Sequence, residues 1–196
     1  MLEKERLSLV RKFAFEHSER DDIHGFLHVE RVLYLCRQLG KKLNANLLIL
    51  EISAILHDIG RKLKYESSSS KNHAELSAEM AFKFLTSYDF KLSQENIDII
   101  IHCIRSHSFS NNSNPQTLEA KILYDADKLD ALGAIGLYRT IGFTIKNDGN
   151  IVDVINHLEE KILKLKDRLY LDISKRIAEK RQKIILDFYK EIKDEI

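Results

Sequence analysis

The chain has 196 residues, enough for one domain with a sizeable core and short for two. Apolar residues make up 44%, charged residues 31%, and the formal net charge is +1, which excludes a disordered or fibrous chain and argues against an extended nucleic-acid footprint. No apolar run approaches the roughly eighteen residues of a membrane span and the charged N-terminus carries no signal-peptide pattern, so a cytoplasmic chain with no membrane partner is expected.

One proline and seven glycines leave little punctuation. Apolar residues recur at spacings of three and four rather than two, which predicts an all-α fold. The pattern predicts helices at about 3–17, 22–40 and 45–58, with Gly40 and Gly60 where helix C-termini often place glycine. A polar serine run at about 66–70 reads as a loop, followed by helices at about 71–87 and 93–107. Ser108 to Gln116 reads as a second loop, with Pro115 opening a long helix at about 116–140. The turn Lys146-Asn147-Asp148-Gly149-Asn150 separates a motif-bearing domain, about 1–145, from a helical extension, about 146–196, with helices at about 150–169 and 172–194. Within that extension Ile151, Ile155, Leu158, Ile162, Leu165 and Leu169 trace a heptad seam. It is expected to pack back onto the same domain, with a homodimer contact through the C-terminal helices as the alternative. Cys36 and Cys103 both sit in apolar periodic stretches and are expected to be buried, reduced thiols.

Four residues stand where burial is costly. His28 lies in Ile23-His24-Gly25-Phe26-Leu27-His28-Val29-Glu30-Arg31-Val32. His57 and Asp58 close the run Ile52-Ser53-Ala54-Ile55-Leu56. Asp127 lies in Leu123-Tyr124-Asp125-Ala126-Asp127-Lys128-Leu129-Asp130. Such groups at the ends of apolar runs are expensive to desolvate unless paired or bound to a metal. Two imidazoles and two carboxylates form a mixed set that suits Mn, Fe, Co, Ni or Zn and leaves positions for water and substrate. Neighbours on a regular helix diverge by roughly 100°, so His57 and Asp58 meet one ion only if the helix ends at the doublet, which Gly60 allows. His24, four residues before His28, shares its helical face and offers an alternative chelate. Arg31, Arg61, Lys62, Arg105, Lys128 and Arg139 lie in or beside the motifs and are candidates to neutralise phosphate. Asp130, three residues after Asp127, either orients a ligand or attacking water, or is a surface or ion-paired aspartate.

Together the three motifs resemble the HD-domain superfamily of metal-dependent phosphohydrolases, whose signature is a His, a His-Asp doublet and a distant Asp. The stretches around His24 to Val32, Ala54 to Gly60, and Asp125 to Gly136 look like a small, stand-alone bacterial subgroup. That resemblance implies a helical bundle with His28, His57, Asp58 and Asp127 on a divalent metal, Mn preferred and Fe, Co, Ni, Zn or Mg possible. It implies His24 on substrate phosphate or behind a ligand. Some branches bind a second metal on two further histidines, and His73 and His107 stand in comparable contexts. One metal, with His73 and His107 contacting phosphate, is the expectation here, and two metals are the alternative. The implied activity is hydrolysis of nucleotides, foremost nucleoside triphosphate to monophosphate plus pyrophosphate. A nucleoside monophosphate phosphatase, a cyclic-nucleotide phosphodiesterase and a non-catalytic nucleotide sensor are the alternatives.

Overall fold

A computed structural model describes residues 3–66, 70–108, 111 and 113–196. Most of the expected serine loop, and residues 109, 110 and 112 of the second loop, lie outside the described residues. The fold is all-α, with no strand among the described residues, and no described helix is long and apolar enough to cross a membrane. The chain divides into two compact units, residues 1–124 and 125–196.

The first unit holds α1 (Glu3–His17), α2 (Phe26–Leu43), α3 (Leu47–Leu56), the short α4 (Arg61–Glu66), α5 (His73–Ser87), α6 (Gln94–Ser106) and the start of α7 (Leu118–Asp130). Its centre is α3, which packs against α1, α2 and α6. Ile49, Leu50 and every residue from Ile52 to Leu56 on α3 are buried. Each such leucine or isoleucine contributes roughly 1.5–3 kcal/mol by leaving water. α5 packs on both α6 and α4. The Asn46, Asn72 and Ser93 side chains accept backbone N–H groups at the starts of α3, α5 and α6, which stabilises each first turn.

Helix α2 starts later than its periodicity predicts. Asp21 Oδ1 accepts the N–H groups of Ile23, His24 and Gly25, holding these residues in a turn. It also ends later: Asn44, at φ 55°, is the left-handed terminator, and Gly40 lies inside the helix. A Cβ on Gly40 would stand 2.7 Å from the Leu50 side chain, so this glycine serves the close packing of α2 on α3. Gly60 likewise serves close approach. Its N–H donates to Ser77 Oγ at 2.9 Å, and a Cβ there would lie 2.4 Å from the Ser77 nitrogen.

The second unit continues α7 and adds α8 (Gly133–Lys146), α9 (Ile151–Glu160) and α10 (Asp172–Asp194), with α8 and α9 packed on α10. The single helix expected over 116–140 is broken at Ala131-Leu132. Gly133 takes φ +77°, and a Cβ on Gly136 would lie 2.2 Å from the Ala131 backbone, so the two glycines form a corner. The expected helix over 150–169 also breaks, ending at Glu160 and continuing as two 3-10 turns, Ile162–Lys164 and Lys166–Arg168. Ile155, Leu158, Ile162, Leu165 and Leu169 are buried all the same, whereas Ile151 is exposed. The tertiary pull is visible at the far end of the break. Both oxygens of buried Asp125 accept backbone N–H groups, from Tyr170 and Leu171, each at 2.9 Å.

Two measurements check this account. Gly60→Ala forces the turn after α3 away from the α5 backbone, and the overpacking is expected to cost about 1–3 kcal/mol, read as a lower urea midpoint. On α5, Glu75 accepts a bidentate pair from Arg105 of α6 at 2.8 and 2.9 Å. Those hydrogen bonds, together with the weaker help of Asn111 and Lys71, hold the Glu75 carboxyl below its ordinary value of 4.5 against its partial burial. A depressed carboxyl stabilises above its unfolded pKa and loses that stabilisation as pH falls through the folded value. Because both side chains are partly exposed, Glu75→Gln is expected to cost no more than about 1 kcal/mol at neutral pH. The gap between mutant and wild type should close below pH 4.5. A gap that stays constant to pH 3 would contradict this role.

Candidate metal centre

Helix α3 ends at Leu56, so His57 and Asp58 fall in the turn that Gly60 and Ser77 hold against α5. The ending brings the doublet's side chains together, with His57 Nε2 3.7 Å from Asp58 Oδ2. From α2, His28 Nε2 reaches the same oxygen at 3.7 Å and His57 Nε2 at 3.3 Å. The other carboxylate oxygen faces the opposite way. Asp58 Oδ1 lies 3.6 Å from Nε2 of His73, the first residue of α5, and 3.5 Å from Nε2 of His107, just beyond α6. Two triads of ligand atoms therefore share Asp58: His28, His57 and Asp58, and Asp58, His73 and His107.

The donor chemistry fits a metal. An ion about 2.1 Å from two ligands at a tetrahedral angle holds them about 3.4 Å apart, close to the 3.3–3.7 Å separations of the first triad. His57 Nδ1–H donates to the Ala54 carbonyl at 2.7 Å, and His107 Nδ1–H donates to the Ile104 carbonyl at 2.6 Å. A carbonyl only accepts, so each ring carries its proton on Nδ1, and in the neutral ring the lone pair lies on Nε2, the nitrogen that faces Asp58. That arrangement orients an imidazole for coordination.

Burial sets the electrostatics. His28 and His57 are 0% exposed, His107 1% and Asp58 3%. Desolvation pushes the Asp58 carboxyl up, but Arg61 and then the imidazoles of His57, His107 and His73 outweigh it and hold the group well below the usual range. Arg61 is the main counter-charge: its Nε donates to Asp58 Oδ2 at 2.8 Å and its Nη2 to Oδ1 at 3.1 Å. The same Nη2 lies 3.3 Å from His73 Nε2.

The remaining sequence candidates take varied places. Among the described residues neither triad includes His24, which is half-buried in the turn before α2. Arg31 is half-buried one turn after His28, and Lys62 is exposed on α4. Arg105 is committed to Glu75, and Arg139 donates from buried surroundings to Asp130 Oδ2 at 2.8 Å. Both cations are thus engaged by carboxylates, Glu75 and Asp130. Asp127, in the second unit, lies 3.4 Å from the Lys128 ammonium. Burial pushes that ammonium down and the Asp127 carboxylate opposes the shift. Cys36 and Cys103 are buried free thiols, and desolvation raises Cys103 to about 12. Neither Ser77 nor Glu75 stood out in the sequence. Glu75 carried one usable signal, its place three residues after the capping Asn72, but its carboxylate reaches across to Arg105.

The HD domain family model matches residues 25–132. The chain is 32% identical over 181 residues to the uncharacterized protein YpgQ of Bacillus subtilis, covering 88% of this chain and 84% of that one. The crystal structure of B. subtilis YpgQ in complex with ADP is similar at a TM-score of 0.80, with 27% identity, 100% of this chain and 97% of that chain covered. An HD-superfamily hydrolase from Bacillus thuringiensis is similar at a TM-score of 0.71, with 25% identity and 99% and 98% coverage. The chain belongs to the HD domain family, and its fold is that of the HD-superfamily hydrolases.

Proposed function

We propose that the chain is a metal-dependent phosphohydrolase of nucleotides that cleaves a nucleoside triphosphate to the monophosphate and pyrophosphate. The observation that carries the metal part is the buried first triad, three ligand atoms spaced for one ion with the His57 tautomer fixed by a backbone carbonyl. His28, His57 and Asp58 are the proposed ligands, and Asp127 is proposed as a further one on the strength of its motif alone. The nucleotide part is supported by the ADP complex of the similar B. subtilis protein.

A bound divalent ion supplies a Lewis acid that lowers the pKa of water and polarises a phosphoryl oxygen. The chain's own residues supply the rest. His57, held by the Ala54 carbonyl, and His28 keep their nitrogens fixed by burial, so the site needs no reorganisation when charge develops. His73 and His107 flank the other oxygen of Asp58 and are proposed to contact phosphate, His107 from a fixed tautomer and His73 from a more exposed position. Arg31, Lys62 and His24 are proposed as outer contacts to the phosphate chain, and Lys128 as one from its own motif. Water adds to the α-phosphorus and gives up a proton to solvent, the bond from that phosphorus to the bridging oxygen breaks, and pyrophosphate leaves with the electron pair. Positioning and charge neutralisation dominate such a transfer.

The test is a panel of Mn, Fe, Co, Ni, Zn and Mg against nucleoside triphosphates, monophosphates and cyclic nucleotides, with products identified. Pyrophosphate from a triphosphate is expected. Orthophosphate from a monophosphate would replace this reading with a phosphatase, and ion binding without turnover would replace it with a sensor. His57→Ala and Asp58→Ala are each expected to weaken metal binding by more than about 100-fold, beyond what losing a ligand's supporting partner costs, and to abolish turnover. His24→Ala is expected to keep the metal while raising KM or lowering kcat, which elemental analysis and steady-state kinetics separate.

A further inference from the structure

We propose that Arg61 is the resident cation of the second triad, so that the chain holds one metal ion, on His28, His57 and Asp58, and occupies the second cation position with its own guanidinium. The proposal rests on the metal-binding reading above. Arg61 is tied to the triad at two of its three residues. Its Nη2 lies 3.1 Å from Asp58 Oδ1 and 3.3 Å from His73 Nε2, while its Nε reaches Asp58 Oδ2 at 2.8 Å. Asp58 Oδ1 and His73 Nε2 are themselves 3.6 Å apart. An ion about 2.1 Å from both would lie within about 4 Å of Nη2 wherever it sat. Two cations that close in a buried site repel strongly.

The local sequence builds this arrangement. Arg61 opens α4 three residues after Asp58, and its backbone N–H donates to the Asp58 carbonyl at 3.0 Å. Gly60, between them, is fastened to Ser77 of α5, and α5 begins with His73. Asp58, Arg61 and His73 therefore share one frame. The planar fork matches both carboxylate oxygens, and a guanidinium stays charged at any working pH, unlike an imidazole. With only 17% of its side chain exposed, it holds this place largely out of water. His73 and His107 are then left as hydrogen-bonding groups beside a fixed positive charge, which suits contact with phosphate oxygens rather than a second ion.

The experiment measures bound manganese per chain after chelator treatment and titration with MnCl2, by elemental analysis and by the electron paramagnetic resonance spectrum. Wild type is expected to bind one ion per chain with the six-line signal of isolated Mn(II). Arg61→Gln, which keeps a polar group but removes the charge, is expected to raise the count from one to two and to give a spin-coupled signal. Adding His73→Ala to Arg61→Gln should return the count to one. His73→Ala in the wild-type background should leave the count at one, which keeps the test decisive if Arg61→Gln does not fold. Two ions in the wild type, one ion in a folded Arg61→Gln, or an ion lost in His73→Ala alone would each overturn the role of Arg61. No bound ion in the wild type would overturn the metal reading itself, a result distinct from the other three.

Discussion

A single buried negative charge organises the first unit. Asp58 is 3% exposed, and an isolated carboxylate so placed would protonate or unfold the site around it. The chain instead surrounds it with a guanidinium and four imidazoles, contributed by α2, the turn after α3, α4, α5 and the end of α6. Assembling those five side chains requires α3 to stop at Leu56 and the turn beyond it to lie against α5. The Gly60 contact with Ser77 meets that requirement, because any Cβ would push the two backbones apart. Stability and site are therefore coupled at one glycine, and the apolar core around α3 is what holds the turn in place.

The parts legible in the sequence were those that violate a local expectation. His28, His57 and Asp58 interrupt apolar runs, where a costly group demands a partner, and the structure brings these three together. The end of the helix at the doublet followed from the divergence of neighbouring side chains on a helix. His73 and His107 were visible as candidates, but not their meeting on the second oxygen of Asp58. That contact depends on how α5 packs against α6, which no local spacing encodes. The same holds for charge pairs. Arg105 and Arg139 look alike as cations beside motifs, yet each is committed to a carboxylate, Glu75 and Asp130, at separations of 30 and 9 residues.

Helix continuity was less legible than burial. The spacing from Ile155 to Leu169 correctly marks a buried face although the chain leaves the α-helix after Glu160. A stripe of apolar residues reports which side chains seek the core, and 3-10 turns can present nearly the same stripe. Beyond the two 3-10 turns the chain meets a polar demand from α7. Buried Asp125 takes the backbone N–H groups of Tyr170 and Leu171, which must be free of intrahelical bonds to be given. Gly133 and Gly136 tell a similar story, since a corner with positive φ and a backbone contact overrides the favourable periodicity on both sides.

Charge balance links the centre to the ligand it suits. Within the first unit the triads contain one carboxylate and four imidazoles, so neutral donors predominate. In the proposed one-metal state, the ion with Arg61 and Asp58 leaves a net charge of about +2, or about +1 with the proposed ligand Asp127, and a second ion would add two more in largely desolvated surroundings, at steeply rising electrostatic cost. A centre with a net positive charge is offset by an anionic phosphate group, and binding such a group then reduces the charge held in the buried site. Histidine-rich ligation around one shared aspartate thus favours few metal ions and an anionic guest. A carboxylate-rich set would favour the reverse, tolerating more cations and repelling the same guest.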